Sequence, residues 1–341
     1  MVNADARQEG YQAEIEHYFR ATLVDGAQEL SEQLWDRDYS STDAYLASVK
    51  SRRDDWRRLL APPSLQAQGE PEIGACVVPD SRWITVSLDH HLTAQGMLVA
   101  PAGATKLVVF QHGLGSTPER VMGIGDSAEG YDAVGARLVE AGYAVLAPMN
   151  LIGLAPRDRA QSLARLAGTT IEGLEFARLQ QLLAAVEQLE PGLGRGPYAL
   201  AGMSWGGMAA QFWSPLDERI AAVASLGFFN DRATKMVVQD ARYVTFYDQK
   251  VSHAFLHGHL LGFGDADLAS LICPRPFMVQ HGKADRIGWW PQIVAEYERA
   301  KAHWDHLGAG DLVSLQLHSG GHQVDGAGLV DWLSVHFPAH R

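Results

Sequence analysis

The sequence predicts an α/β protein: a mostly parallel, doubly wound sheet that begins with antiparallel strands, a helical N-terminal extension, and an aromatic cap segment. Three observations predict it. From Lys106 onward, short apolar runs alternate with helical patterns, the signature of a parallel sheet covered on both faces. Before Lys106, three strand-like runs are joined by links too short for crossover helices, so they pair antiparallel. The first sixty residues are rich in Asp, Glu and Arg and contain no strand-like run.

In that N-terminal stretch Ile15, Tyr18, Phe19 and Leu23 fall at helical spacing, as do Tyr45, Val49, Trp56 and Leu60. Ser40, Ser41 and Thr42 are N-cap candidates for the second helix, and Pro62 and Pro63 end it. Residues 1–63 thus form an extension expected to lie against the main unit, residues 64–341. Strands are expected at 73–78, 82–88 and 95–100, then at 107–112, 143–148, 198–203, 221–227, 277–282 and 312–318. Helices are expected near 127–141, 170–190, from 205, 291–306 and 325–337. Residues 228–262 are long for a link between core strands. They carry Phe228, Phe229, Tyr243, Phe246, Tyr247, Phe255 and Leu260, with Phe263 just beyond, and read as a cap over the site.

Composition sets bounds. The 341 residues are enough to bury a full core, and 47% hydrophobic with 20% charged is ordinary for a globular protein. A net charge of -12 without a Lys/Arg-rich run disfavours a nucleic-acid surface. Cys76 and Cys273, far apart in sequence, read as two buried thiols in a reducing compartment rather than a disulfide scaffold. No secretory signal pattern and no span-length apolar run is present, so a soluble cytoplasmic protein without a membrane partner is expected. A homodimer is left open.

The chemistry centres on Gly202-Met203-Ser204-Trp205-Gly206, a G-x-S-x-G. Alone the motif is weak. Here it follows an apolar strand and precedes a small-residue helix, the setting of a nucleophile elbow. A serine hydroxyl needs a base. His322, in a Gly-rich loop after the last strand, is the candidate. The base needs a carboxylate to fix its tautomer. Asp285, after the strand 277–282, gives the chain order Ser, Asp, His. Its rival Asp325 reads better as the cap of the last helix. An oxyanion hole needs two preset N–H donors. The Trp205 amide and the Leu114 amide, in the loop His112-Gly113-Leu114-Gly115-Ser116, are the candidates. His112 reads as an organiser of that loop rather than a second base.

Trp205, Phe228, Trp289 and Trp290 are the expected substrate walls, since aromatic faces suit an acyl chain, a ring or a sugar. His253, His257 and His259 form an H-x3-H-x-H cluster, but no third ligand type stands nearby, and no metal site is expected. His90 and His91 read as solvent-facing, and Gly123, Gly125 and Gly130 are too scattered for a dinucleotide loop. No cofactor is expected.

From about residue 72 to the end the chain resembles the α/β-hydrolase superfamily, and within it the acetyl xylan esterase and dienelactone hydrolase-like esterases. The matching pieces are HGLGS (112–116), AGYAVLAP (141–148), GMSWGG (202–207) and DLASLICPRPFMVQHGKAD (267–285). The resemblance implies an α/β-hydrolase fold and cofactor-free cleavage of a small-molecule ester through an acyl-enzyme. Trp205 departs from the smaller residue often found after the serine. Two other readings stand beside this one: a carbon–carbon bond hydrolase of a diketone-like substrate using the same three residues, and a non-catalytic binding protein on the same fold.

Overall fold

The computed structural model describes residues 4–126, 128–247 and 251–339. The start of the helix expected at 127 and positions 248–250 of the cap-like segment lie outside the described residues. The N-terminal stretch forms α1 (Ala4–Arg20), α2 (Ala27–Leu34), α3 (Thr42–Ser48) and α4 (Lys50–Leu60). Ser41 caps α3, its Oγ accepting from the Ala44 amide at 3.1 Å. Tyr45, Val49, Trp56 and Leu60 are all buried, as their spacing predicts. Their polar atoms are satisfied on the main unit: Tyr45 donates to Ser270 O at 2.7 Å and the Trp56 indole to Phe212 O at 2.8 Å. The first helix departs from expectation. Of the expected stripe, Ile15, Tyr18 and Phe19 stay exposed and Leu23, just beyond α1, is partly buried, because charged and polar residues interrupt the helix and leave too narrow an apolar face to bury.

The strands are β1 (Glu72–Ala75), β2 (Ser81–Ser87), β3 (Thr93–Val99), β4 (Leu107–Gln111), β5 (Ala144–Pro148), β6 (Tyr198–Met203), β7 (Ile220–Leu226), β8 (Phe277–Gly282) and β9 (Val313–His318). Among the described residues they form one sheet in the order β1-β2-β3-β5-β4-β6-β7-β8-β9. The first three pair antiparallel, as does β3 with β5, and the rest of the sheet is parallel. Strand β4 shows why apolar runs are required here. Leu107 and Val109 enter one hydrophobic cluster with Trp56, Leu182 and Trp304, while Val108 and Phe110 enter another with Val134, Leu138 and Leu333. Alternate residues serve opposite faces, and both faces are covered.

The remaining helices are α5 (Pro118–Val121), α6 (Val134–Glu140), α7 (Leu154–Leu166), α8 (Ile171–Leu189), α9 (Trp205–Trp213), α10 (Arg232–Val237), α11 (Asp265–Ser270), α12 (Trp290–His306) and α13 (Gly326–His336). Asp325 caps α13, accepting from the Gly328 amide at 3.0 Å. Helix α7 has no counterpart in the sequence reading. Its inward side is polar, with Arg157 and Gln161 fully buried. Arg157 pairs with Glu172 and Glu175 on α8, at 2.8 Å to Glu175 Oε2. Such a helix shows no apolar period to detect. Cys76 also differs from expectation: it is half-buried on the strand edge, and only Cys273 is buried. Both thiols are free.

The sheet order reverses direction around β4, with β5 on one side and β6 on the other. The crevice beyond the carboxyl ends of β4 and β6 is the switch point at which open α/β sheets bind ligands. The loop at 112–116 and Ser204 both open there.

Candidate active site

Ser204 stands between β6 and α9 with φ 57° and ψ -118°, a conformation costly for any residue with a Cβ. The backbone is held there by its neighbours. Ser204 N donates to Leu226 O at 2.7 Å, and Ser204 O accepts from Met208 N at 3.0 Å. The motif glycines allow the close approach. A methyl on Gly202 would overlap the backbone of Gly206, and one on Gly206 would overlap the Gln111 carbonyl. A methyl on Gly207 would lie 2.8 Å from Leu226 O. Gly206→Ala is therefore expected to destabilise the fold by about 3 kcal/mol or more, since backbone at the ends of two core strands cannot yield. Urea unfolding of the variant checks it.

Ser204 and His322 line one cleft of about 610 Å³. His322 Nδ1 lies 2.6 Å from Asp285 Oδ2. The Asp285 side chain is 1% exposed and that of His322 28%. The loop carrying His322 packs on β8 through glycine: a methyl on Gly282 would overlap the carbonyls of Gly320 and Gly321. Lys283 N and Ala284 N donate to His318 O (2.8 Å) and Gly320 O (3.0 Å), tying the turn that bears Asp285 to that loop. Burial works to raise the Asp285 carboxyl. The hydrogen bond and charge of His322 and the Ile287 amide outweigh it, so the group is held below the ordinary carboxylate value. Asp325, the rival, stays at the helix cap. The structure thus brings Ser204, His322 and Asp285 to one end of the sheet.

The 112–116 loop is fixed by side chains. The Asn150 amide donates to His112 Nε2 at 3.4 Å, so His112 Nδ1–H donates to Gly113 O at 2.9 Å. Burial lowers the His112 pKa, favouring this neutral form. The organising role read from the sequence matches this geometry. Gly113 N donates to the Tyr131 hydroxyl at 2.8 Å, and Gly115 N to Ile152 O at 3.0 Å. These flanking amides are committed, and Leu114 lies between them and lines the cleft. Helix α9 begins with Trp205, so the Trp205 amide belongs to the helix N-terminus, where partial positive charge favours an anion.

The expected aromatic walls stand elsewhere. The Trp205 ring packs edge-on to His253 (4.8 Å) and Phe228 (6.4 Å), beneath the Arg157 guanidinium at 5.0 Å. Trp205 and Phe228 line a separate, nearly filled cavity with Arg232, Phe246 and His259. Trp289 lies under Arg242 at 3.6 Å, and the part-exposed Trp290 is 5.5 Å from the Lys283 ammonium. The cleft at Ser204 is bordered instead by Leu114, Ser116, Arg120, Glu129, Tyr131 and Gln323. Of the cap histidines, His253 bonds Asp158, His259 is buried against Trp56 and Phe212, and His257 is exposed. His90 and His91 are exposed. Among the described residues no group of three or more His, Cys, Asp or Glu could hold a metal ion. No described helix is long and apolar enough to cross a membrane.

Sequence reasoning missed Tyr131, which anchors the 112–116 loop from a stretch without a motif. It also missed His281, whose Nε2 is 3.7 Å from Asp285 Oδ2. Burial drives the His281 pKa down to about 4, so at neutral pH it is an uncharged neighbour of that carboxylate. Its place four residues before Asp285 on the same strand end was the available signal.

These elements are the α/β-hydrolase fold. The chain is similar in structure to a candidate acetyl xylan esterase from Bacteroides fragilis (TM-score 0.68, 14% identity, covering 93% of this chain and 84% of that one). It is also similar to a methylesterase (TM-score 0.63, 17% identity, 93% and 69% covered). A glucuronoyl esterase from Solibacter usitatus matches at TM-score 0.63 and 12% identity, with 88% and 94% covered. No protein-family model matches the sequence, and no curated protein matches it.

Proposed function

We propose that the protein hydrolyses a carboxylic ester of a small molecule through an acyl-enzyme. The observation that carries this reading is the 2.6 Å bond from His322 to the buried Asp285 carboxylate, with His322 and the strained Ser204 on one cleft. Ser204 Oγ attacks the ester carbonyl as His322 takes its proton, while Asp285 holds the His322 ring and offsets the imidazolium charge. The carbonyl oxygen becomes an oxyanion held by the amides of Leu114 and Trp205. The carbon–oxygen bond to the leaving group breaks and His322 protonates the departing alcohol. Water then adds to the acyl-enzyme, gives its proton to His322 and releases the acid, returning Ser204. No step requires a cofactor.

The fold neighbours carry esterase descriptions, which favours esters over carbon–carbon bonds as the class to assay first. The polar border of the cleft, with Arg120, Glu129 and Gln323, suits a hydroxylated or charged substrate better than a long acyl chain. A fluorophosphonate probe is the direct test. It is expected to place one adduct on the Ser204 peptide by mass spectrometry and to stop hydrolysis of p-nitrophenyl acetate in step with labelling. An adduct on another serine, with Ser204 unmodified, would refute the assignment.

A further inference from the structure

Lys235 on α10 is 2% exposed, and a buried ammonium needs partners. It donates to Val244 O at 2.8 Å and also to Ile287 O. Its ammonium lies 5.2 Å from the Tyr243 ring centre and 4.9 Å from that of Phe246. These contacts join two segments. One is the link at 243–246, where Phe246 N returns to Lys235 O at 2.9 Å. The other is the turn after Asp285, where Arg286 O accepts from Val244 N at 2.7 Å. Ile287 is the shared residue. Its carbonyl accepts from Lys235, and its amide donates to Asp285 Oδ1 at 2.7 Å. One face of the Asp285 carboxylate therefore meets His322, and the other is set by a residue that Lys235 holds in place.

We propose that Lys235 is a positioning residue for the hydrolytic site: its buried ammonium clamps the turn at 285–287 and so fixes the Asp285 carboxylate against His322. The proposal rests on Asp285 being the orienting carboxylate of the ester hydrolase. The clamp works in the protonated state, since only an ammonium has donors for both carbonyls together with a charge for the two rings. Burial lowers the Lys235 pKa to about 7. Arg232 on the same helix adds to that fall, while Asp285 on the turn and Asp265 on α11 oppose it. Tyr243 is the titratable group facing it from the link. The competent form is therefore present below that value and lost as pH rises through it.

Two measurements test this. Lys235→Met keeps the stem and removes the donors. With its near-UV circular dichroism unchanged, its kcat for p-nitrophenyl acetate is expected to fall by about tenfold or more while KM stays within about threefold. A role in folding alone would leave kcat intact in the folded variant. The second measurement uses the unaltered protein. A Ser-His-Asp triad alone gives a rate that climbs with pH and then levels. Here the rate of fluorophosphonate labelling at Ser204 is expected to climb and then fall on the alkaline side, with the fall absent in Lys235→Met. If the variant does not fold, this limb decides. Wild-type kcat in folded Lys235→Met, or a level alkaline limb in the unaltered protein, overturns the clamp and leaves the esterase reading standing. Absence of label on Ser204 in the unaltered protein overturns both.

Discussion

Ser204→Ala is expected to lower kcat for p-nitrophenyl acetate by about 10⁴-fold or more, because the variant has no atom to form the acyl-enzyme and retains only oxyanion stabilisation and binding. Folding should be unaffected by this change. The backbone at 204 is strained at φ 57° whichever of the two side chains it carries, so serine and alanine share the cost. Ser204→Gly separates the two effects. It loses the same activity but is expected to gain about 1 kcal/mol of stability, as glycine adopts positive φ without penalty. Urea melts of the three proteins beside their esterase rates give both readings. Ser116 lines the same cleft and supplies the control. Activity that survives Ser204→Ala and disappears in Ser116→Ala would move the nucleophile there.

The parts of the fold legible in sequence are those governed by apolar periodicity. β4, β6 and β8 are each buried along their whole length, and a strand covered on both faces reads as a run of consecutive apolar residues, with buried polar side chains such as Gln111, Gln280 and His281 only at its carboxyl end. The candidate site was legible for a related reason. Ser204 and Asp285 each follow such a strand, and His322 follows β9, where apolar and polar residues alternate, so each marks its own place at the carboxyl edge of the sheet. Helix α7 was not legible, because its buried face is Arg157 and Gln161 and its partners Glu172 and Glu175 sit on another helix. Burial by ion pairing leaves no hydrophobic signal. The walls of the cleft were misjudged for the converse reason. The aromatic residues after β7 and β8 invite a pocket, but Phe229, Tyr243 and Phe263 are buried and Trp205 is packed against His253 and Arg157. Aromatic content tells what can be buried, not which surface it covers. Lys235 shows the same limit, since its role depends on Val244 and Ile287 meeting at one point.

Asp285→Asn is expected to lower kcat by about 10⁴-fold with little change in KM, whereas Asp325→Asn should leave kcat near wild type. Asp285 Oδ2 faces His322 Nδ1 at 2.6 Å and Oδ1 accepts from the Ile287 amide at 2.7 Å. An asparagine keeps one acceptor oxygen, and the Ile287 amide claims it, which turns the new NH₂ toward His322. That donor forces Nδ1 to accept, moves the ring proton to Nε2 and leaves no base facing Ser204. Asp325 has a different duty. Its Oδ1 accepts from Gly328 N and its Oδ2 from Gln316, each at 3.0 Å. Asparagine caps a helix about as well as aspartate, so this change should cost little stability and leave the cleft untouched. The two variants also differ in their response to acid. The folded state holds the Asp285 carboxyl below its usual value, so its charged form stabilises the protein above the ordinary carboxylate range. That contribution is lost as pH falls through the lowered value. Asp285→Asn should therefore flatten this part of the acid limb in a plot of unfolding free energy against pH. Wild-type kcat in Asp285→Asn together with a collapse in Asp325→Asn would exchange the two roles and place the orienting carboxylate on the cap of α13.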